Sequence, residues 1–256
     1  VGPPSRLYKE EGATFMTATL LAHSGAQAPV ATPATFVLAR GVLVTVRYED
    51  LRAFRIFSER PRTETTGAAT LLSLLDAIVE RLARVLDDTG DRVSEVSTAI
   101  FHRPPGGNFR PLLTGLAQAQ SVTALARTSL VSLGRLLSFA ALAHDIVDND
   151  DGRTHLASLQ RDTQSLTEHT SHQAGHVTFL LDAALGLINI EQNGIIKFFS
   201  VVAVVFMPPT LIASIYGMNF DVLPELHWRA GYPMALGMMV VAAILPVLRF
   251  KRRGWL

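Results

Sequence analysis

From Phe198 to Gly217 the chain carries no charged side chain, over roughly the 20 residues a helix needs to cross the hydrocarbon core of a bilayer. We read it as a membrane span. Within it and just before it, Asn193, Ile196, Ser200, Ala203, Met207, Thr210, Ser214 and Gly217 follow one another at alternating steps of three and four. That alternation keeps them on one face of a helix. Among the Val, Ile, Phe and Leu around them, a stripe of hydroxyls, an amide and a Met has two readings. It is a packing seam, since small residues favour close approach of helices in membranes, or it is a face that lines water.

A second apolar run, Gly231 to Leu248, is short for a span, and snorkelling of Arg249 extends its reach. Arg249, Lys251, Arg252 and Arg253 follow it, and Lys197 stands at the start of the first span. The positive-inside rule places these basic ends in the cytoplasm and the loop containing Asn219 outside. Trp228, Tyr232 and Trp255 fit interfacial belts. The mean hydropathy of +0.28 is too low for a chain embedded along its whole length, so most of the 256 residues belong to a soluble part. A formal net charge of +1, with no basic cluster interleaved with aromatics before the C-terminus, gives no reason to expect a nucleic-acid partner. There is no cysteine, so thiolate chemistry and disulfides are ruled out. The start of the chain shows no basic region followed by an apolar core, so no cleaved signal peptide is expected; it opens without Met on a strand-like segment, and a longer N-terminal region is expected ahead of it.

Residues up to about Glu59 read as strands: Thr14 to Leu21, Thr35 to Leu38, Val42 to Tyr48 and Phe54 to Phe57, with Arg40-Gly41 as a hairpin turn and a loop from His23 to Pro33. From Gly67 to His102 the pattern is helical, with Leu71, Leu74, Leu75, Ile78, Leu82, Val85 and Leu86 on one face. Arg103-Pro104-Pro105-Gly106-Gly107-Asn108 breaks it; the Gly-Lys-Ser/Thr ending of a phosphate loop is missing, so this is a turn. A second helix runs from about Pro111 to Asp145. The acidic run Asp148-Asn149-Asp150-Asp151-Gly152 fails the spacing of a calcium loop and reads as a turn, with Thr154 near the start of the next helix. From Thr154 the helical signal continues through Pro208-Pro209 to Gly217, a rod roughly 95 Å long. The resulting layout is an α+β membrane protein: a partial α/β domain (1–66), a helical hairpin (67–152), a stalk helix (153–197), a first span (198–217), an outer loop (218–230), a second span (231–250) and a basic tail (251–256).

Tyr216-Gly217-Met218-Asn219-Phe220 closes the first span, and here the chain resembles the CorA magnesium-channel family, whose signature is GMN at the outer end of the first of two membrane helices. The likeness extends to Leu180-Leu181-Asp182-Ala183, Gly186-Leu187-Ile188-Asn189, Glu191-Gln192-Asn193, Met207-Pro208-Pro209-Thr210, Pro224-Glu225-Leu226 and the closing Lys251-Arg252-Arg253-Gly254-Trp255-Leu256. The resemblance implies a homopentameric funnel in the inner (plasma) membrane, its N-terminal domain and C-terminus both cytoplasmic. It implies a passive channel for Mg²⁺, with Co²⁺ or Ni²⁺ as further cargo, and neither an enzyme nor an organic cofactor. Its partners are divalent cations, membrane lipids and further copies of itself.

By the same resemblance Gly217, Met218 and Asn219 form the outer selectivity site, with Met218 packing rather than coordinating, and the inner apolar constriction falls at Phe199 or at its neighbour Ser200. The stripe from Asn193 to Ser214 lines the pore. Asp182 matches a position where regulatory Mg²⁺ bound between subunits favours closure. The physical logic fits this. Mg²⁺ demands octahedral geometry and gives up water reluctantly, so neutral oxygens acting on its hydration shell can hold it and let it go. Neither span carries an acid for proton coupling. His169, His172 and His176, at spacings of three and four, share a helix face that can hold a transition metal. Two competing readings are a Zn²⁺ transporter of the related ZntB type and a two-span sensor or adaptor. A hydrolase has no motif here.

Overall fold

The computed structural model describes residues 7–10, 12–23, 29–60, 66–104, 106–143, 146–147, 150–219 and 228–254. The chain divides into two compact units, residues 1–185 and 186–256.

The first unit opens with an antiparallel meander, β1 (Leu7–Glu10), β2 (Ala13–Ala22), β3 (Val30–Ala39) and β4 (Val42–Arg47), adjacent in chain order. Strand side chains alternate between faces, and here Thr14, Met16, Ala18, Leu20 and Ala22 of β2 are buried together with Thr32, Ala34, Phe36 and Leu38 of β3. Met16 stands opposite Phe36 in the register. Between β3 and β4 the connection is Arg40-Gly41, with φ of 51° and 77°. Positive φ at both positions is what a two-residue hairpin turn requires, so the expected turn is present.

Two long helices, α2 (Gly67–Phe101) and α3 (Arg110–Ala140), cover the buried face, and a short α1 (Arg52–Glu59) packs beside them. The core joins Leu71, Leu75, Ile78 and Leu82 of α2 and Leu130, Leu133 and Leu137 of α3 to the sheet. Polar links fix the register of the layers. The backbone N–H of Thr19 donates to Ser132 Oγ at 2.8 Å, tying β2 to α3. The rings of Phe36 and Phe54 lie 6.1 Å apart, with the Arg47 guanidinium 4.8 Å from the Phe54 ring. At the C-terminal end of α1, Arg60 reaches Glu80 of α2 at 2.7 Å, and Arg84 reaches the same carboxylate at 2.9 Å. The Arg60 hydrogen bond holds that carboxyl below the usual carboxylate range.

The next helix, α4, runs unbroken from Asp150 to Tyr216. In the first unit it buries Leu156, Leu159, Thr163, Thr170, Gln173, Val177, Leu180 and Ala184, a face with the same three-four alternation. Gln173 serves as its polar anchor: Nε2 donates to the Leu86 carbonyl at 3.1 Å and Oε1 accepts from Thr123 at 3.3 Å, so one buried amide joins α4 to both α2 and α3.

In the second unit, the end of α4 is accompanied by α5 (Gly231–Arg252). Both are long and apolar enough to cross a membrane, and the most apolar stretch of α4 is nowhere buried. Burial, full at Gly231 and Ala235 and partial elsewhere, recurs on one side of each helix: Val201, Val205, Pro208, Ile212 and Tyr216 of α4, and Gly231, Ala235, Met239, Ala242 and Pro246 of α5. Small residues on the α5 side allow close approach. Elsewhere Phe198, Phe206, Leu211, Val241 and Leu245 are exposed, as suits surfaces meant for lipid or for other chains. The α5 end is capped by Gly254 at φ 69°, with Arg249, Lys251 and Arg252 in the last turn where the helix dipole favours cations.

Three expectations are corrected. Phe54 to Phe57 is helical, inside α1, because the buried side is set by Leu51 and Phe54, three apart, with Phe57 packed half-buried behind them. Val30 to Pro33 belongs to β3, not to a loop; Pro33 pairs with Thr19, and β4 runs alongside β3 only from Ala34, so a missing N–H is tolerated there. Asp151-Gly152 lies in the first turn of α4, where acids suit the helix N-terminus, and does not close a turn. Asp145, Asp148, Asn149, Phe220, Pro224-Glu225-Leu226 and Trp255 lie outside the described residues.

At the start of α2, Thr66 caps the helix by accepting from Ala69 N–H at 3.2 Å, while Gly67 N–H donates to the Gly41 carbonyl at 2.8 Å. A Cβ at position 67 would stand 2.6 Å from that carbonyl oxygen and 2.9 Å from Leu38 Cδ1. Gly67→Ala is therefore expected to lower stability by about 1–3 kcal/mol, read as a shift of the denaturation midpoint; an unchanged midpoint would contradict the close approach.

Candidate functional site

Every member of the stripe, Asn193, Ile196, Ser200, Ala203, Met207, Thr210, Ser214 and Gly217, is exposed in the single chain, and so is Phe199. The half-buried positions of the same helix segment fall on a different face. An open groove of about 540 Å³ runs along the stripe where Ala203, Met207, Thr210 and Ser214 line it. Phe199 is as exposed as Phe198, and the two rings meet edge to face at 5.7 Å.

The hydroxyls are already oriented. Ser200 Oγ donates to the Ile196 carbonyl and Thr210 Oγ1 to the Phe206 carbonyl, each at 2.8 Å. A hydroxyl whose proton is committed to its own helix turns its lone pairs outward. Towards the groove these side chains therefore act as acceptors, suited to the protons of a hydrated cation. This detail was missed at the sequence level, although Ser and Thr inside helices commonly bond back in this way. Pro208 and Pro209 stand inside α4 without ending it. Proline has no N–H to give, so the carbonyls of Val204 and Val205, four residues back, lose their i+4 helical donors.

At the outer end, Gly217 N–H closes on Ala213 at 2.9 Å and Met218 N–H on Ile215 at 3.3 Å; Asn219 follows, exposed. A Cβ on Gly217 would lie 3.0 Å from the Ala213 carbonyl oxygen, tighter than ordinary contact, so glycine suits the tightening of this last turn. No Asp or Glu lies between Phe198 and Gly217 or between Gly231 and Arg252. The site consists of oxygens without formal charge beside apolar rings, and one helix cannot enclose a path. Further copies of the chain would be needed to close it.

Asp182 is exposed on α4, and among the described residues no ion pair reaches it. Carried back from Asn193, the alternation of the stripe passes through Asn189, Gly186 and Asp182. His169, His172 and His176 are exposed as well, but among the described residues no three His, Cys, Asp or Glu side chains come together as a metal would need. Within one chain the three histidines share a face without converging.

Comparison with known proteins gives a consistent result. The family profile described as CorA-like Mg2+ transporter protein matches residues 6–252. The magnesium transport protein CorA of Haemophilus ducreyi is 41% identical over 234 residues, which cover 90% of this chain and 73% of that protein. Among solved structures, the CorA magnesium transporter of Methanocaldococcus jannaschii superposes with a TM-score of 0.81 at 21% identity, over 99% of this chain and 80% of its own. The full-length CmaX protein gives a TM-score of 0.75 at 14% identity, over 98% and 78%. At those identities the two structures establish the fold.

Because the chain has no cysteine, single cysteines report on each face of α4 cleanly. Cysteine in place of Ala203, Met207, Thr210 or Ser214 should react with a water-borne thiosulfonate at least ten times faster than cysteine in place of Val205 or Ile212. Equal rates along both faces, in the protein reconstituted in bilayers, would mean that the stripe is a packing seam.

Proposed function

The chain belongs to the family of CorA-like Mg2+ transporter proteins, and on that premise we propose that it carries Mg²⁺ across the inner membrane as a passive channel built from several copies of itself. The observation that carries this reading is the uncharged stripe, oriented hydroxyls included, that ends at Gly217-Met218-Asn219. Five copies, as in the family, would bring five such stripes round one axis. Asn219 would offer its amide oxygen and Gly217 its carbonyl to the water shell of the arriving ion, with Met218 packing behind them.

Deeper in, Thr210 and Asn193 supply neutral oxygens, and Met207, Ile196 and Phe199 supply apolar rings that stop ions by excluding water. The membrane potential is sufficient drive, about 4.6 kcal/mol for a divalent ion per 100 mV. Cytosolic Mg²⁺ bridging Asp182 to a neighbouring copy would relieve repulsion between acids and favour the closed state. Co²⁺ and Ni²⁺, of similar size and charge, are further cargo. The basic residues flanking both spans favour a cytoplasmic position for the soluble unit and for the C-terminus. The magnesium transport assigned to the H. ducreyi relative supports Mg²⁺ over Zn²⁺ as the main cargo.

Proteoliposome uptake tests the reading. The full chain should take up Mg²⁺ down its gradient, and a cobalt hexaammine, which imitates the hydrated ion, should block it. Asn219→Ala should reduce uptake at least tenfold while the oligomer keeps its size on a gel-filtration column. Uptake by the variant at the original rate would refute the assignment of Asn219, and no uptake by the unaltered chain would refute transport itself.

A further inference from the structure

Three of the chain's eight histidines, His169, His172 and His176, fall within eight residues of α4. All three are exposed, and among the described residues none of their rings has a hydrogen-bond or ion-pair partner. Transport along the stripe makes no use of them. His172 and His176 stand one turn apart, within about 40° of each other around the helix axis, with Cβ atoms about 5–6 Å apart. A metal bound to two imidazoles at about 2.0–2.1 Å holds their nitrogens about 3 Å from each other. Two exposed rings reach that separation by side-chain rotation alone, and i, i+4 is the spacing at which one helix presents two histidines to zinc. His169 is seven residues from His176, about 10 Å along the axis, too far to share an ion with it. The ligands from this helix therefore number two, consistent with no group of three coming together among the described residues.

The surroundings of the pair favour a cation. Gly175 lies between the two on the exposed side, and a Cβ built there would meet nothing within 4 Å, so no neighbouring element closes over the rings. The turn that joins them is already fixed from behind: Gln173 Nε2 donates to the Leu86 carbonyl at 3.1 Å and its Oε1 accepts from Thr123 at 3.3 Å. Binding would order two side chains and no backbone, which keeps its entropic cost small. No Lys or Arg occurs on α4 between Arg161 and Lys197. Glu168, one turn before His172, accepts from Gln164 Nε2 at 3.2 Å, and its charge attracts a metal ion beside it.

We propose that His172 and His176 chelate one divalent transition-metal ion per chain, Ni²⁺ or Zn²⁺ and not Mg²⁺, with water in the remaining positions. Imidazole nitrogen suits Zn²⁺ and Ni²⁺, whereas Mg²⁺ takes oxygen ligands and keeps much of its water. The pair is therefore blind to the ion that the stripe of uncharged oxygens is suited to pass. With oxygens at one place on α4 and nitrogens at another, the chain tells two classes of divalent cation apart and answers the second without being occupied by the first. The pair lies wholly within the first unit, and its occupancy does not depend on whether Mg²⁺ is transported.

Isothermal titration of the full chain in lipid nanodiscs, purified without a histidine tag, decides it. Ni²⁺ is titrated in excess Mg²⁺, which fills the oxygen sites. Under those conditions Ni²⁺ should saturate one site per chain, and Zn²⁺ should compete for it. His172→Ala and His176→Ala should each weaken Ni²⁺ at least tenfold, while His169→Ala should change its affinity less than threefold. All three side chains are exposed, so the variants should keep the melting temperature of the unaltered chain. No saturable Ni²⁺ binding in excess Mg²⁺, unchanged affinity in either His172→Ala or His176→Ala, an equal loss in His169→Ala, or one ion shared among several chains would overturn the proposal.

Discussion

No water reaches a backbone amide in the middle of a bilayer, so a chain that crosses it must satisfy its hydrogen bonds within its own helix. That constraint governs α4. A helix is compulsory over the apolar stretch, and once a helix is required, side chains seven residues apart along it return to almost the same face. The site is therefore a consequence of periodicity: eight residues spread between Asn193 and Gly217 form one surface only because the backbone between them has no alternative conformation. The Ser200 and Thr210 hydroxyls then bond back to the same ladder, which converts flexible side chains into fixed acceptors.

The soluble unit obeys a different rule. There the sheet buries one face under α2 and α3, and the register is held by few polar links: Thr19 to Ser132, and Gln173 to Leu86 and Thr123. A buried amide satisfied on both sides is a specific device, since losing either partner would leave a polar group without water or protein to meet it. Gln173 thereby fixes which turn of α4 faces which turns of α2 and α3, more sharply than leucines alone would.

Much of this was legible in the sequence. The long helices, the Arg40-Gly41 turn and both apolar helices follow from period and punctuation, because a 3.6-residue repeat sustained over many turns has one interpretation. What failed was short and local. Phe54 to Phe57 holds aromatic and branched residues in too few positions to separate a strand from a helix, and only the packing of Phe54 on Phe36 settles it. Pro33 argued against a strand until the pairing placed it beyond the reach of β4. The acceptor orientation of the stripe was invisible, since it depends on rotamers. The histidines illustrate the reverse case: a spacing that suggests a metal does not bring three ligands to one point.

Pro208 and Pro209 have a mechanical corollary. Two successive rungs are absent from the ladder between Val204 and Pro209, so the stiffness of an otherwise continuous rod drops in that one place. Any flexing of the span concentrates there, beside Met207 and Thr210, and the turns on either side move as rigid levers.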